Sequence, residues 1–506
     1  MDQLPDTDTC IQPPGPDNSV TLRFRLSNAH SPHHNGMNIL FKIRKLLKSK
    51  FDQVSNQRLK NNFLNALPFW LGAFLSGCIA VLYAKLFAWA EAGTVYIYHR
   101  ADWAFFIITP LCFFLSWWLV AKYAPYARGS GIPQVTAAIE LSNPKQHYRV
   151  NKLLSLRIIF LKIVSSLTMA FGGGVIGREG PTIQISASIF KKINDLLPSW
   201  YPKISKRNMI VTGAAAGLAS AFNTPLGGIV FAIEELTKTH FSFFKSALLT
   251  GVIIAGLTAL NFLGPYLYLG YPQLDRTPAW IVLIIAPLAI ITGFAGSAMG
   301  EIILFILQKK KLFRRHFAKS VYVIVCGLII AFVAVAIDFK VMGSGKEIMI
   351  FTLFTDDKHL AWYVPLLRIG GSVISFSVAG AGGIFAPSLS AGASIGAVFG
   401  GLFNLTASQS NLVILCGMTG FLTAITRSPF TSSILVLEMT NSHNVIFYIM
   451  LTALFANLVA QAVSRHSFYD KLRDQYIRDI HLEPLDREEV PGKTEAKSPA
   501  ANSDPE

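Results

Sequence analysis

The sequence is short of charge and of patterned cysteine, and each shortage excludes a class of protein. Only 15% of its 506 residues are charged while 52% are hydrophobic, against about 25% charged in soluble domains. With a mean hydropathy of +0.44, the chain reads as an integral membrane protein. The five cysteines, Cys10, Cys78, Cys112, Cys326 and Cys416, follow no metal-ligand or disulfide spacing. Four of them lie in apolar segments, where a thiol serves as a small hydrophobe. Alternation with period two is absent, so helices are expected and a transmembrane barrel is not. Residues 1–36 are polar and Pro-rich and lack a compact apolar stretch, so no cleavable signal peptide is expected. All eleven histidines fall in tails or at segment edges, and neither a metal nor a cofactor is implied.

What is present is a series of long apolar runs. Residues 69–90, 104–121, 281–307, 320–337 and 444–463 each approach or exceed the roughly 20 apolar residues that span a hydrocarbon core. The formal charge of +16 is placed for a membrane rather than for nucleic acid. KIRKLLKSK (42–50) precedes the first span and KKKLFRR (309–315) lies between two spans. Such clusters mark the cytoplasmic side, so the N-terminus is expected there, with an even number of crossings between the clusters. The polar ends, 1–37 and the acidic 482–506, are expected to be disordered. With so short a stretch after the last span, no C-terminal regulatory domain is expected.

Three Gly/Pro motifs interrupt the apolar pattern: GSGIP (129–133), GREGP (177–181) and GIFAP (383–387). In each, proline suits the first turn of a helix, where its missing N–H costs nothing. The preceding glycine lets the backbone turn tightly. Irregular backbone at membrane depth survives only inside protein or beside a cavity, so these motifs predict helix N-termini pointing inward. Their free N–H groups and positive dipole ends suit an anion. Dipoles and hydroxyls, unlike a full positive charge, let that ion leave again; Ser130 adds a hydroxyl at one terminus. Glu179, an ionisable group that costs about 2.5–3.5 kcal/mol near the bilayer centre, can take the anion's place when charged and withdraw when protonated. Arg178 reads as an outward-facing or loop-anchored charge.

The chain also contains a repeat. Residues 213–237 (GAAAGLASAFNTPLGGIVFAIEELT) align without gaps on 417–441 (GMTGFLTAITRSPFTSSILVLEMTN), placing Pro225 on Pro429 and Glu234 on Glu438, 204 residues apart. GREGP and GIFAP share a frame 206 residues apart, and Ser188–Ile189 match Ser394–Ile395 at the same spacing. Two halves of common origin are the arrangement of secondary transporters. Spacing alone leaves open whether the halves are inverted. Glu234 and Glu235 end an apolar stretch and diverge by about 100° on a helix; one is expected to brace the structure while the other faces the interior. Met439 stands opposite Glu235 in the repeat, which makes Glu235 the specialist of the two.

GSGIPQ, GREGP, GIFAP and the Glu pair, in this order and approximate spacing, resemble the CLC family of chloride channels and chloride/proton antiporters over about residues 38–481. The resemblance implies an all-α polytopic membrane protein with two inverted-topology repeats of tilted and broken helices, forming a homodimer. It places repeat one at about 61–266, repeat two at about 278–464 and a C-terminal helix at about 467–480. Ser130, Gly131, Ile384, Phe385 and Tyr469 become the anion-binding residues, Glu179 the gate, and Glu235 the internal proton relay with Glu234 its structural neighbour. It further implies a bacterial-type protein of the cell inner (plasma) membrane without paired nucleotide-binding modules. Serine at 130 resembles chloride-selective members, and an acidic residue at 235 resembles exchangers, so H+/Cl− exchange is the expected activity. A passive chloride channel is the alternative. A serine hydrolase using Ser394 in GASIG (392–396) is a remote one, since a nucleophile needs a positioned base.

Overall fold

The computed structural model describes residues 57–143, 146–237, 245–264, 267–274, 278–313, 315–355, 358, 360–403 and 405–482. The expected tails, the basic run at 42–50 and Cys10 therefore lie outside the described residues. The chain divides at Lys60. Met1–Lys60 contributes only the opening of one helix to the description, and Asn61–Glu506 contains the rest.

The helices follow one another as α1 (Gln57–Ala101), α2 (Phe105–Tyr123), α3 (Ile132–Glu140), α4 (Leu156–Phe171), α5 (Glu179–Leu196), α6 (Lys206–Phe222) and α7 (Pro225–Phe231). A π-helical turn, Ala232–Thr237, continues α7. The chain goes on through α8 (Lys245–Leu263), α9 (Val282–Lys311), α10 (His316–Ala336), α11 (Lys346–Phe354), α12 (Val364–Ser377) and α13 (Phe385–Gly400). It ends with α14 (Ala407–Thr426), α15 (Pro429–Thr440), α16 (Ile446–Val463) and α17 (Phe468–Leu482). Extended pairing among the described residues is limited to two isolated bridges.

Among the described residues, seven helical stretches are long and apolar enough to cross a membrane. At 45 residues, α1 is about 68 Å long, well beyond a hydrocarbon thickness of about 30 Å. Ala407–Thr426 is the least apolar of the seven, and 89% of it is buried. It touches other helices instead of lipid, so small residues replace bulky ones. Where α13 crosses it, a Cβ on Gly392 or Gly396 would strike the backbone at Gly417, Met418 or Ile414. The GASIG sequence is thus a small-xxx-small packing face. Ser394 within it donates its hydroxyl to the Ser390 carbonyl at 2.7 Å.

Two contacts reveal the relation between the halves. Glu234, at the end of α7, accepts from the amides of Phe430 (3.1 Å) and Thr431 (2.6 Å), which open α15. Glu438, near the end of α15, accepts from the amides of Leu226 (3.1 Å) and Gly227 (2.8 Å), which open α7. Each helix caps the start of its repeat mate, so the two run antiparallel. Gly177 and Gly383, equivalent in the GREGP and GIFAP frames, likewise exchange both amide bonds at 2.8 Å. Residue i meeting j while j meets i is the signature of a two-fold relation. Removing the Glu234 cap strands the amides of Phe430 and Thr431. Glu234→Ala is expected to cost about 1–3 kcal/mol, lowering the unfolding temperature in detergent; an unchanged transition would contradict the capping role.

Candidate functional site

Three helix starts meet at the centre. Gly131, at φ 110° just before α3, holds a conformation that side chains rarely adopt. A Cβ there would lie 2.7 Å from the Gly180 carbonyl oxygen and 2.9 Å from Gln184 Cβ, so α3 begins hard against the first turn of α5. Gly180 in turn makes room for Ser130, because a Cβ on it would overlap Ser130 Oγ. A Cβ on Gly383, leading into α13, would stand 3.1 Å from the Gly180 amide nitrogen. Backbone bonds stitch the three loops together. Besides the Gly177–Gly383 pair, Gly129 donates to Gly380 (2.7 Å) and Gly382 donates to Gly129 (3.1 Å). Pro133, Pro181 and Pro387 each fall in the first turn of their helix, as the motifs predict. The leading N–H groups of α3, α5 and α13, which have no acceptor within their own helices, are thereby gathered around one region.

The polar atoms buried here without a hydrogen-bond partner include Ser130 Oγ, Tyr469 Oη and Glu179 Oε2. Tyr469 opens α17, its ring stacked on Phe385 with centroids 6.3 Å apart. Its hydroxyl faces Ser130. Buried polar groups ordinarily find partners, so a group of them around these helix starts marks a place suited to a polar or charged guest. Ile384, immediately before α13, and Phe385, its first residue, are both buried beside it.

Glu179 is 1% exposed. Its Oε2 and the Ala386 amide flank the same face of Gly177, so the carboxylate lies over the start of α13. Its Oε1 accepts from Tyr268 Oη at 3.3 Å. Tyr268 packs edge-on against Phe222 at 5.1 Å, and Lys346 Nζ sits 4.7 Å over its ring. Arg178 donates to the Ala84 carbonyl at 2.9 Å, which ties the loop to α1. Glu235 is 5% exposed and accepts from Ser428 Oγ at 2.8 Å. The π-helical turn carries the two adjacent carboxylates to different tasks, Glu234 to the cap of α15 and Glu235 inward. Such turns recur at functional sites.

Sequence reasoning missed two buried cations and a second turn of the same kind. Lys162 on α4, fully buried, donates to the carbonyls of Ala127 (2.9 Å) and Gly129 (2.7 Å). Arg368 on α12, 206 residues further on and equally buried, donates to the carbonyls of Val341 (2.7 Å), Met342 (3.0 Å) and Gly343 (3.2 Å). Each cation anchors a GSG triplet, 129–131 or 343–345, whose glycines all have positive φ. The second triplet opens α11 and holds a carboxylate of the protein's own: Ser344 donates its amide to Glu91 Oε1 at 2.8 Å. The shared triplet, and a cation inside an apolar run, are the signals in the sequence; GSGKE (343–347) lacks the proline that marks the other helix starts.

Broken helices meeting at the middle of a duplicated helical membrane protein define the class of secondary transporters and their channel relatives. Residues 112–461 match the family described as voltage gated chloride channel, and the chain belongs to that family, the CLC proteins. It is 30% identical to the H+/Cl− exchange transporter ClcA of Citrobacter koseri over 420 residues, 79% of this chain and 85% of the relative. The protein of the same name from Salmonella arizonae is 29% identical over the same extent. Among solved structures, a slow cyanobacterial Cl−/H+ antiporter superposes with a TM-score of 0.70 at 23% identity, over 82% of this chain and 98% of the other. A CLC-type fluoride/proton antiporter gives 0.68 at 20% identity with the same coverage.

Because Lys162 reaches into the protein to hold two loop carbonyls, Lys162→Met is expected to lower stability by on the order of 3 kcal/mol. Thermal unfolding in detergent measures it, with Lys162→Arg recovering part of the loss. A methionine variant as stable as the parent would remove the anchor from the account.

Proposed function

We propose that this protein exchanges chloride for protons across the cell inner membrane, as a homodimer with its N-terminus in the cytoplasm. The observation that carries the reading is the group of partnerless buried atoms, Ser130 Oγ, Tyr469 Oη and Glu179 Oε2, among three helix starts. Relatives named H+/Cl− exchange transporters, matched over most of both chains, support the choice of chloride and proton.

Chloride is bound by Ser130 and Tyr469 hydroxyls and by the amides of Ile384 and Phe385, with Gly131 shaping the turn that presents Ser130. These groups offer partial charges, strong enough to replace hydration water and weak enough to release the ion. Glu179 is the gate. Charged, it lies over the start of α13 and excludes chloride from that end. Protonated, it loses its attraction to the helix dipoles, yields the place to the anion and leaves carrying a proton. Occupation of one position by either the carboxylate or chloride couples the two flows. Glu235 passes protons between Glu179 and the cytoplasm, while Glu234 is committed to capping α15. That Glu235 is buried and hydrogen-bonded to Ser428 supports this division of labour.

In proteoliposomes, Glu179→Ala is expected to abolish proton movement while chloride still flows, and Glu235→Ala to suppress proton movement likewise. A chloride electrode and a pH electrode read both fluxes together. Undiminished proton coupling in both variants would refute the assignment, and a reversal potential of the parent that ignores the pH gradient would select a passive channel.

A further inference from the structure

A second basic site lies apart from the central one, where α2 and α9 end and α10 begins. A cavity of about 280 Å³ opens there, lined by Arg128, Lys310, Lys311, His316 and Lys319. Among the described residues, no carboxylate lines it. The nearest acid bonded to its walls is Asp479 on α17, 2.8 Å from Arg128 and 3.2 Å from Lys311. One carboxylate between two of several cations leaves the cavity with a positive excess. Lys310 is held by the carbonyls of Ser377 (3.0 Å) and Val378 (2.7 Å), and Arg128 lies 5.0 Å over the Tyr476 ring. Both cations are therefore fixed in place before any ligand arrives. Much of the remaining wall is apolar, with Trp117, Leu307, Phe376 and Leu472. Around the mouth, Leu312 (71%) and Phe317 (78%) are exposed, and Lys122 lies 4.9 Å over Trp118. Exposed apolar side chains, aromatic rings and basic residues at the ends of spans mark headgroup depth.

We propose that this cavity binds a phosphate group, with Arg128, Lys311 and Lys319 as its ligands. Planar guanidinium and flexible ammonium groups together suit a phosphate's several oxygens, and the apolar wall suits the glycerol and upper chain of a lipid. The position gives the site a consequence. Gly129 and Ala379 both line it, and both hold positive φ, 66° and 62°; for alanine this is a strained conformation. Gly129 precedes Ser130, and Gly129 and Gly380 are bonded to each other at 2.7 Å. A phosphate held by Arg128, whose chain neighbour is Gly129, bears on the loops that present Ser130 and lead into α13. The chemistry is the same whether the phosphate belongs to a lipid headgroup or is free in the cytoplasm.

The test uses the full-length protein and its Lys311→Gln/Lys319→Gln double variant, two positions outside the central site. Native mass spectrometry titrates dioctanoyl phosphatidic acid, dioctanoyl phosphatidylcholine as the zwitterionic control, and inorganic phosphate. Phosphatidic acid bound at least ten-fold more weakly by the variant, with phosphatidylcholine unchanged, supports a lipid headgroup site. Variant-sensitive binding of inorganic phosphate alone supports a site for soluble phosphate. Equal binding of both phosphates by parent and variant overturns the proposal. Since binding is read without transport, that failure is separate from any failure of chloride/proton exchange.

Discussion

The structure turns on backbone amides that a lipid environment gives no water to satisfy. A helix that starts inside a bilayer leaves several N–H groups without acceptors, and each costs free energy unless protein or a guest provides one. Here α3, α5 and α13 all start inside the protein. The fold answers by bringing the starts together, so that a shared negative group can serve them all. The carboxylate of Glu179 is one such group, and a halide is another. Competition between the two follows from the same unsatisfied amides, which is why a gate and a binding site fall at one place.

The same problem is solved elsewhere in the molecule with the protein's own carboxylates. Glu234 and Glu438 cap the starts of α15 and α7 across the two-fold relation. Glu91 fills the GSG turn before α11. Of the two GSG triplets, the one occupied by Glu91 has its anion built in, and the one containing Ser130 has a hydroxyl without a partner. The duplication thus supplied two similar turns, each anchored from behind by a buried cation. A structural carboxylate closed one of them, and the other stayed open.

Much of this was legible in the sequence because proline and glycine mark the breaks. GSGIP, GREGP and GIFAP each showed a helix start, and their order showed the family. Composition gave the helical membrane class, and the match of Glu234 with Glu438 gave the repeat. What stayed hidden depends on packing. Lys162 and Arg368 sit within apolar runs, and nothing in their local sequence tells which carbonyls they reach. The bond from Tyr268 to Glu179 joins residues 89 positions apart. The π-helical turn has no compositional mark, so the separation of Glu234 from Glu235 was expected from ordinary helix geometry and is achieved by a wider turn. The GASIG segment shows the reverse: a pattern with a chemical reading whose glycines serve close helix contact.

The most direct test of a halide held by converging amides is a crystal soaked in bromide and measured at its absorption edge. The account predicts an anomalous peak within hydrogen-bonding distance of Ser130 Oγ and Tyr469 Oη, and in Glu179→Gln a second peak beside Gly177 and Ala386, where the carboxylate lay. A well-phased map with no bromide at Ser130 and Tyr469 in either protein would contradict it.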